Sequence, residues 1–165
     1  MNLSPEQTVS VPFPPHEAVR GEYVISTDPA RLDAVAIHAY LTHSYWASGR
    51  TLETVTRSLR YSLCFGLYRD GQQVGLARVI TDWTTYAYLC DVYVLEEHRG
   101  RGLGKWLVEC VLAHPELQTV RRWTLVTSDA HGLYASYGFT PQANPDRHME
   151  LIRKPAPSAA VPPSS

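Results

Sequence analysis

The residues best suited to chemistry form a short glycine- and arginine-rich segment in the middle of the chain. Three glycines fall within five positions of RGRGLG, residues 99–104, between an apolar run and a helical apolar pattern. Glycine lets a backbone bend tightly and approach a ligand closely. The following helix would direct unpaired N–H groups and its positive dipole end at that ligand. With two arginines and Lys105 alongside, the segment predicts a binding site for a phosphate or pyrophosphate.

Two common phosphate-binding signatures do not fit this segment. A Walker loop needs a glycine five positions before its Gly-Lys pair and a Ser or Thr after the lysine. Those two positions hold Arg99 and Trp106. A dinucleotide fingerprint, G-x-G-x-x-G, would end here on Lys105 or Leu107 instead of glycine. The spacing therefore argues against a nucleoside-triphosphate enzyme, a nucleotide-binding regulatory domain and a dinucleotide enzyme.

The pattern that does fit is R-x-x-G-x-G after a strand that ends in Asp-Val-Tyr-Val. The stretch VYVLEEHRGRGLGKWLVECVL resembles the acyl-coenzyme A binding signature of the Gcn5-related N-acetyltransferase (GNAT) superfamily. A second stretch downstream, LYASYGF at residues 133–139, is similar to that family's Leu-Tyr-x-x-x-Gly-Phe segment. The resemblance covers residues 22–153 and implies an acyl-CoA N-acyltransferase fold.

The resemblance implies acetyl-coenzyme A as the acyl donor. Backbone groups of the strand before the loop would pair with the pantetheine arm like an added strand, which requires that strand to diverge from residues 120–127. Thr127 stands where many family members carry Asn, and its hydroxyl would contact the cofactor. The implied cofactor-binding residues are Val92, Tyr93, Val94, Arg99, Gly100, Arg101, Gly102, Leu103, Gly104, Lys105, Thr127 and Tyr134.

The resemblance also implies direct attack of an amine on the thioester, with Tyr134 as the proton donor to the departing thiolate. A phenol, with an ordinary pKa near 10, can serve as that acid. The general base stays open between three choices. Asp91 is the only acid on the preceding strand, His43 lies in the loop HSYWASGR, and a chain of waters is the third. Strict alternation places Tyr88 and Cys90 with Val92 on one face and Asp91 with Tyr93 on the other.

Aromatic residues in two loops are the candidates for the acceptor site. Such a wall suits an aromatic or cationic amine through stacking and cation–π contacts, and packing in a core or dimer is the alternative. The candidate acceptor residues are His43, Tyr45, Trp46, Trp83 and Tyr88.

These residues predict an N-acetyltransferase that acts on a primary amine of a small molecule or peptide. The alternative from the same motifs is a non-catalytic module that binds or senses acyl-coenzyme A, and the role of Tyr134 distinguishes the two. A homodimer is a further expectation, since dimers are common among similar proteins.

The composition limits the choice of partners. The 165 residues carry a formal net charge of −1, which gives no support for binding to nucleic acid or a membrane surface. The three cysteines lie in apolar stretches without C-x-x-C spacing and the N-terminus lacks a secretory pattern, so a cytoplasmic location is expected. His38 and His43 are not spaced as metal ligands on one helix face, and no metal site is predicted.

The element pattern predicts one α/β (α+β) domain at 22–153, with a flexible segment at 1–21 and a disordered tail at 154–165. The order is β-α-α-β-β-β-α-β-α-β, which implies a mixed, mostly antiparallel central sheet with helices on both faces. The strands are expected at 22–27, 63–68, 74–81, 86–95, 120–127 and 147–152, and the helices at 28–40, 51–60, 103–114 and from 128 or 129 to 137.

Overall fold

The structure is a computed structural model that describes residues 12–154. The chain divides into two compact units, one up to Thr127 and one from Ser128. Among the described residues, the first unit carries a sheet and three α-helices, and the second carries one short α-helix. Residues 1–11 and 155–165, which hold most of the two predicted terminal segments, lie outside the described residues. The single domain at 22–153 stays a prediction.

One six-stranded sheet forms the framework of the first unit. Its strands lie in chain order, and every neighbouring pair is antiparallel except the last, which is parallel. This arrangement confirms the predicted mixed, mostly antiparallel sheet. The strands are β1 (Glu17–Arg20), β2 (Tyr23–Ser26), β3 (Leu63–Arg69), β4 (Gln72–Thr81), β5 (Tyr86–Val94) and β6 (Arg122–Leu125).

Strand β1 was not expected, because it falls within the segment at 1–21 predicted to be flexible. It pairs with β2 through a turn at Gly21, whose φ of 59° is a left-handed conformation that glycine adopts readily. The strand has no fully buried residue, so it lacks the apolar alternation that identifies a strand in a sequence. The strand pairing of the sheet therefore begins before residue 22.

The helices largely follow the sequence signals, with one division. The predicted helix at 28–40 is a 3₁₀ turn followed by α1 (Ala34–Leu41), because Asp28 caps the turn and Asp33 caps the helix separately. Leu32 between them is extended, with ψ of 126°. Two Asp caps so close together favour two starts over one continuous helix. The others are α2 (Leu52–Arg60), α3 (Leu103–Leu112) and, in the second unit, α4 (His131–Ala135).

Helices cover both faces of the sheet, as predicted. The α1–α2 side forms a buried cluster that includes Ile37, Leu59, Cys64 and Leu76. Phe65 lies on the opposite face of the sheet from its neighbour Cys64. The centroid of its ring is 5.6 Å from that of His114, just beyond α3. Helix α3 is amphipathic, and its sheet-facing residues are Leu103, Trp106, Leu107, Val108 and Val111.

The second unit contains the motif LYASYGF. Helix α4 ends near Gly138, whose φ of 89° is that of a left-handed helix terminator, as its position predicted. Tyr134 lies in the last turn of α4, and its ring contacts Phe139 edge-on at 5.9 Å. A last strand was expected at 147–152. Within the second unit, residues 148–154 form neither a helix nor a strand.

Candidate active site

Strand β5 leaves its parallel neighbour β6 halfway along its length. Their pairing runs from Tyr86 opposite Arg122 to Leu89 opposite Leu125, where β6 ends. Residues 90–94 continue as a strand that, among the described residues, pairs with β4 only. The backbone groups on their other side can therefore pair with an extended ligand. A crevice where two parallel strands diverge is a common place for a ligand in a sheet of this kind.

A β-bulge at Asp91 changes the direction of the side chains at this point. Asp91 has a φ of 50°, and the register with β4 shifts between Leu76 and Arg78. Cys90 lies opposite Arg78, and Tyr93 lies opposite Leu76. Because Leu76 and Arg78 are two residues apart on β4 and share a face, Cys90 and Tyr93 share that face as well. The predicted alternation, with Cys90 and Tyr93 on opposite faces, is wrong for this reason: an inserted residue reverses the order. The face towards α1 and α2 carries Tyr88, Cys90, Asp91 and Tyr93.

The Asp91 carboxylate is the centre of a buried charged cluster. Oδ2 accepts a hydrogen bond from Arg78 Nε at 2.7 Å, and Oδ1 accepts one from Trp46 Nε1 at 3.1 Å. Arg50 Nη1 lies within 3.1 and 3.2 Å of the two oxygens. The side chains of Asp91 and Arg78 are 1% and 7% exposed. Both carboxylate oxygens are thus occupied by donors from three residues.

The loop between α1 and α2, residues 42–51, is held against β5 by these contacts. Besides Trp46 and Arg50 on Asp91, the His38 Nε2–H of α1 donates to the Arg50 carbonyl at 2.9 Å. Ala47 in the middle of the loop is buried in the α1–α2 cluster. Tyr45 and Trp46 remain 62% and 37% exposed. The loop therefore presents aromatic surface next to the divergent part of β5.

Sequence reasoning missed Arg50 and Arg78. Arg78 stands in the middle of the apolar run VGLARVI, where both sequence neighbours are buried. A charged residue at the centre of a buried strand needs a charged or hydrogen-bonded partner. That signal was present in the sequence and pointed to a buried acid. Arg50 in its polar loop gave no such signal.

His43, the other candidate base, is an exposed residue of the same loop. Its Nδ1 donates to the Ala39 carbonyl at 2.8 Å. In a neutral ring this bond fixes the proton on Nδ1 and leaves the lone pair on Nε2. His43 can therefore accept a proton at Nε2, whereas both oxygens of Asp91 already accept hydrogen bonds from its partners.

The glycine segment forms the turn between β5 and α3. Gly100 and Gly102 each have a φ of 74°, and Gly102 is the N-cap of α3 without a side-chain capping bond. Gly104 lies inside α3. Arg99 donates from Nε to the Val94 carbonyl at 2.9 Å and from Nη2 to Tyr40 Oη at 3.2 Å. Arg99 thus fixes the end of the strand, and the backbone that follows forms a helix N-terminus, a place where N–H groups can bind an anion.

Gly102 and Gly104, at the start of α3, should respond differently to replacement by alanine. A Cβ at Gly102 meets nothing within 4 Å, but its left-handed φ disfavours any other residue. We expect Gly102→Ala to lower the free energy of unfolding by about 1–2 kcal/mol and to weaken coenzyme A binding. Gly104→Ala, in open space inside the helix, should raise stability by about 0.5–1 kcal/mol. Urea unfolding and calorimetric titration with coenzyme A check both, and equal effects of the two changes would contradict the assigned conformation.

Trp83 lies away from the other candidate acceptor residues. It occupies the β4–β5 hairpin, at the opposite end of β5 from Asp91. The centroid of its ring lies 5.0 Å from that of Phe13 and 6.1 Å from that of His114. The rings of Tyr45 and Trp46 contact each other, and Trp46 bonds to Asp91, which shares its face of β5 with Tyr88. Trp83 belongs to a separate aromatic cluster.

That cluster makes stability depend on pH. Burial, with His16 at a ring distance of 4.8 Å, lowers the pKa of His114 to about 4 from 6.5. The unfolded chain therefore binds more protons than the folded protein between these pH values, so the stability is complete above pH 6.5 and falls as the pH drops towards 4. We expect a loss of about 2 kcal/mol from His114 between pH 7.5 and 5.

Urea unfolding at both pH values, compared between variants, measures this contribution. In the wild type the Glu116 N–H donates to His114 Nδ1 at 3.3 Å, and His114→Asn keeps an acceptor for that N–H. This variant should lose most of the pH dependence. The exposed His43 provides the matched control, since His43→Asn should leave the dependence in place. An unchanged dependence in His114→Asn would contradict the assignment.

Among the described residues, no cluster of three or more His, Cys, Asp or Glu side chains could hold a metal ion. Likewise, within residues 12–154, no helix has the length and apolar character needed to cross a bilayer.

Comparisons with known proteins identify the family of this fold and site. The model of the acetyltransferase (GNAT) domain matches residues 60–141. A protein from Gibberella zeae that is named as an acetyltransferase is 38% identical over 144 residues, which cover 73% of this chain and 80% of the relative. A crystal structure from Xanthomonas campestris pv. campestris, described as an acetyltransferase of the GNAT family, is 52% identical, covers 79% of this chain and 93% of its own, and has a TM-score of 0.77.

The chain belongs to the GNAT family of acetyltransferases. It is an acyltransferase of that family and has the family's mixed sheet. A more distant structure, from Clostridium acetobutylicum, is described as an acetyltransferase with acetyl-CoA. It shares 16% identity over 79% of this chain and 94% of its own, with a TM-score of 0.58. At that identity the likeness concerns the fold alone.

Proposed function

We propose that the protein transfers an acetyl group from acetyl-coenzyme A to a primary amine of a small molecule or peptide. The observation that carries the proposal is the unpaired side of residues 90–94, which is followed, after a 3₁₀ turn at Glu96–His98, by the left-handed glycines before α3. In this reaction the amine nitrogen bonds to the acetyl carbon and the carbon–sulfur bond breaks. The thiolate of coenzyme A takes up one proton, and the amine loses one.

The donor would lie along β5 and end at the α3 N-terminus. Val92 and Val94 offer backbone groups to the pantetheine arm, and the amides from Gly100 to Lys105 bind the pyrophosphate. Arg101 and Lys105 add positive charge from exposed positions. Arg99 acts through Val94 and Tyr40, since its guanidinium is already bonded to them. Thr127, two residues beyond β6, is the remaining cofactor contact that the family resemblance implies.

The properties of the Cys90 thiol favour direct attack by the amine over an intermediate bound covalently to the enzyme. Burial raises the pKa of the Cys90 thiol to about 11, with Arg78 acting in the opposite sense and Asp91 in the same sense. The thiol is therefore neutral at physiological pH and a poor nucleophile. An acetyl-cysteine intermediate at Cys90 is accordingly disfavoured, and the amine attacks the thioester itself.

Tyr134 is the proposed acid and His43 or a water the proposed base. Tyr134 is assigned by the match of LYASYGF to the family motif, and α4 presents it in the second unit. Asp91 was also a candidate base, but its oxygens already accept hydrogen bonds from Trp46 and two arginines. We therefore assign Asp91 a positioning role, in which it holds the α1–α2 loop on β5.

A coenzyme A release assay against a panel of primary amines tests the function. We expect thiol release that depends on the amine, with an acetylated product of matching mass. Binding of acetyl-coenzyme A without turnover on any amine would favour the non-catalytic acyl-coenzyme A module instead. The cytoplasmic location and the homodimer stay predictions from the sequence.

A further inference from the structure

The cluster around Asp91 holds one more positive charge than negative charge. Arg50 and Arg78 both bond to the single Asp91 carboxylate, and the other partners, Trp46 and Ser62, are neutral. Within the described residues, Asp91 forms salt bridges with these two arginines alone. Low exposure strengthens the electrostatic effect of an uncompensated charge. An anion that reaches this cluster would therefore be bound favourably.

Arg50 is the member that can reach a ligand. Its side chain is 33% exposed, against 7% for Arg78. Within residues 12–154, both side-chain hydrogen bonds of Arg50 come from Nη1, which leaves its Nε and Nη2 groups available to a ligand. Asp91 and the His38 bond to the Arg50 carbonyl hold this side chain and its backbone in place. A guanidinium fixed in this way has donors in a fork that matches a carboxylate.

The position of Arg50 relates this donor group to the proposed reaction. Asp91 immediately precedes residues 92–94, where β5 has left β6 and where the donor would bind. Trp46, bonded to the same carboxylate, is more than one-third exposed and gives a flat apolar surface beside Arg50. An acceptor that enters here would meet one aromatic face and one guanidinium.

We propose that Arg50 binds a carboxylate of the acceptor, so that the acceptor is an amine that carries its own carboxylate, as an amino acid does. The proposal rests on the acetyltransferase function proposed above and narrows its substrate class. Acceptors that carry a further positive charge and no acid group are disfavoured, because Arg50 would repel that charge. Two or more charge-assisted hydrogen bonds fix the amine relative to the thioester.

Matched acceptor pairs that differ only at the carboxylate test the proposal. The pairs are glycine and glycinamide, phenylalanine and phenylalaninamide, and 4-aminobenzoate and 4-aminobenzamide, with kcat/KM measured for each. For the best pair we expect the acid to be preferred by about 10- to 100-fold. In Arg50→Gln this preference should fall to near unity, mainly through a higher KM for the acid. Because amidation also changes the amine pKa, the ratio in the variant, compared with the ratio in the wild type, is the decisive quantity.

Two variants control for damage to the fold. Arg57→Gln removes the same charge from the exposed face of α2, and its acid preference should equal that of the wild type. Arg50→Lys keeps the charge but not the fork, and should retain part of the preference. A structural defect in Arg50→Gln would lower turnover of acid and amide alike and leave their ratio unchanged. An unchanged ratio, or an amide preferred by the wild type, would overturn the proposal.

A binding measurement separates this proposal from the acetyltransferase function itself. Calorimetric titration of the coenzyme A complex with each acid and amide should show tighter binding of the acid, and the difference should disappear in Arg50→Gln. If no amine is acetylated but the difference is found, the transfer function fails and Arg50 remains an anion site. If amines are acetylated but the acids bind no better than the amides, the substrate class is wrong and the transfer function stands.

Discussion

Tyr134→Phe should lower kcat by about 10²–10⁴ and leave the affinity for coenzyme A nearly unchanged. In the proposed mechanism the phenol gives its proton to the departing thiolate, whereas the pyrophosphate, which would supply much of the binding, contacts the amides of residues 100–105. The change is conservative in shape, so the edge-on ring contact with Phe139 is kept. Stopped assays of thiol release give kcat, and calorimetric titration with coenzyme A gives the affinity.

Tyr137 provides the matched control for this effect. It lies three residues further along, next to the terminating Gly138, and carries the same phenol. Tyr137→Phe should change kcat by less than about threefold, because surface and packing substitutions away from the chemistry have small effects. A Tyr134→Phe variant as fast as Tyr137→Phe would remove the acid role and leave proton transfer to water.

Asp91→Ala should lower the free energy of unfolding by about 3–5 kcal/mol, as expected when one partner of a buried ion pair is removed. The guanidinium of Arg78 would remain buried next to Cys90 without its carboxylate. The Trp46 and Arg50 contacts that hold the α1–α2 loop would be lost as well. Urea unfolding at pH 7 measures the loss.

An exposed ion pair and a double variant show whether burial is the cause. Glu22 pairs with Arg69 at 2.8 Å but is 66% exposed, so Glu22→Ala should cost less than about 1 kcal/mol. Asp91→Leu combined with Arg78→Met removes both buried charges, and this double variant should be more stable than Asp91→Ala alone. A double variant less stable than Asp91→Ala would show that the cluster acts through shape and not through charge.

The parts of the fold and site that were predictable carry their signal in local sequence. Asp70-Gly71 indicated the β3–β4 turn, and both residues have positive φ values, 51° and 76°. Thr51 indicated the start of α2, and its side chain accepts from the Thr54 N–H. The glycine spacing before α3 likewise depends on the conformations of single residues. Such preferences act within a few residues and can be seen without a structure.

The parts that were not predictable depend on contacts between distant residues. The bulge at Asp91 has no glycine and no break in the pattern YAYLCDVYV, because the inserted residue is held by Arg78 and Arg50 from elsewhere in the chain. The position of Trp83 likewise depends on a distant residue, because its ring packs near that of His114 from beyond α3. Strand β1 is ordered by its pairing with β2, not by its own apolar residues.

Hydrogen exchange of the protein with and without acetyl-coenzyme A tests the location of the donor most directly. We expect slower exchange at the amides of residues 92–94 and 100–105, since these groups would bond to the pantetheine arm and the pyrophosphate. ATP at the same concentration should produce no comparable protection, and Gly102→Ala should reduce the protection more than Gly104→Ala. Protection that falls outside these two segments, or that ATP reproduces, would contradict the assignment of this edge of β5 as the acyl-coenzyme A site.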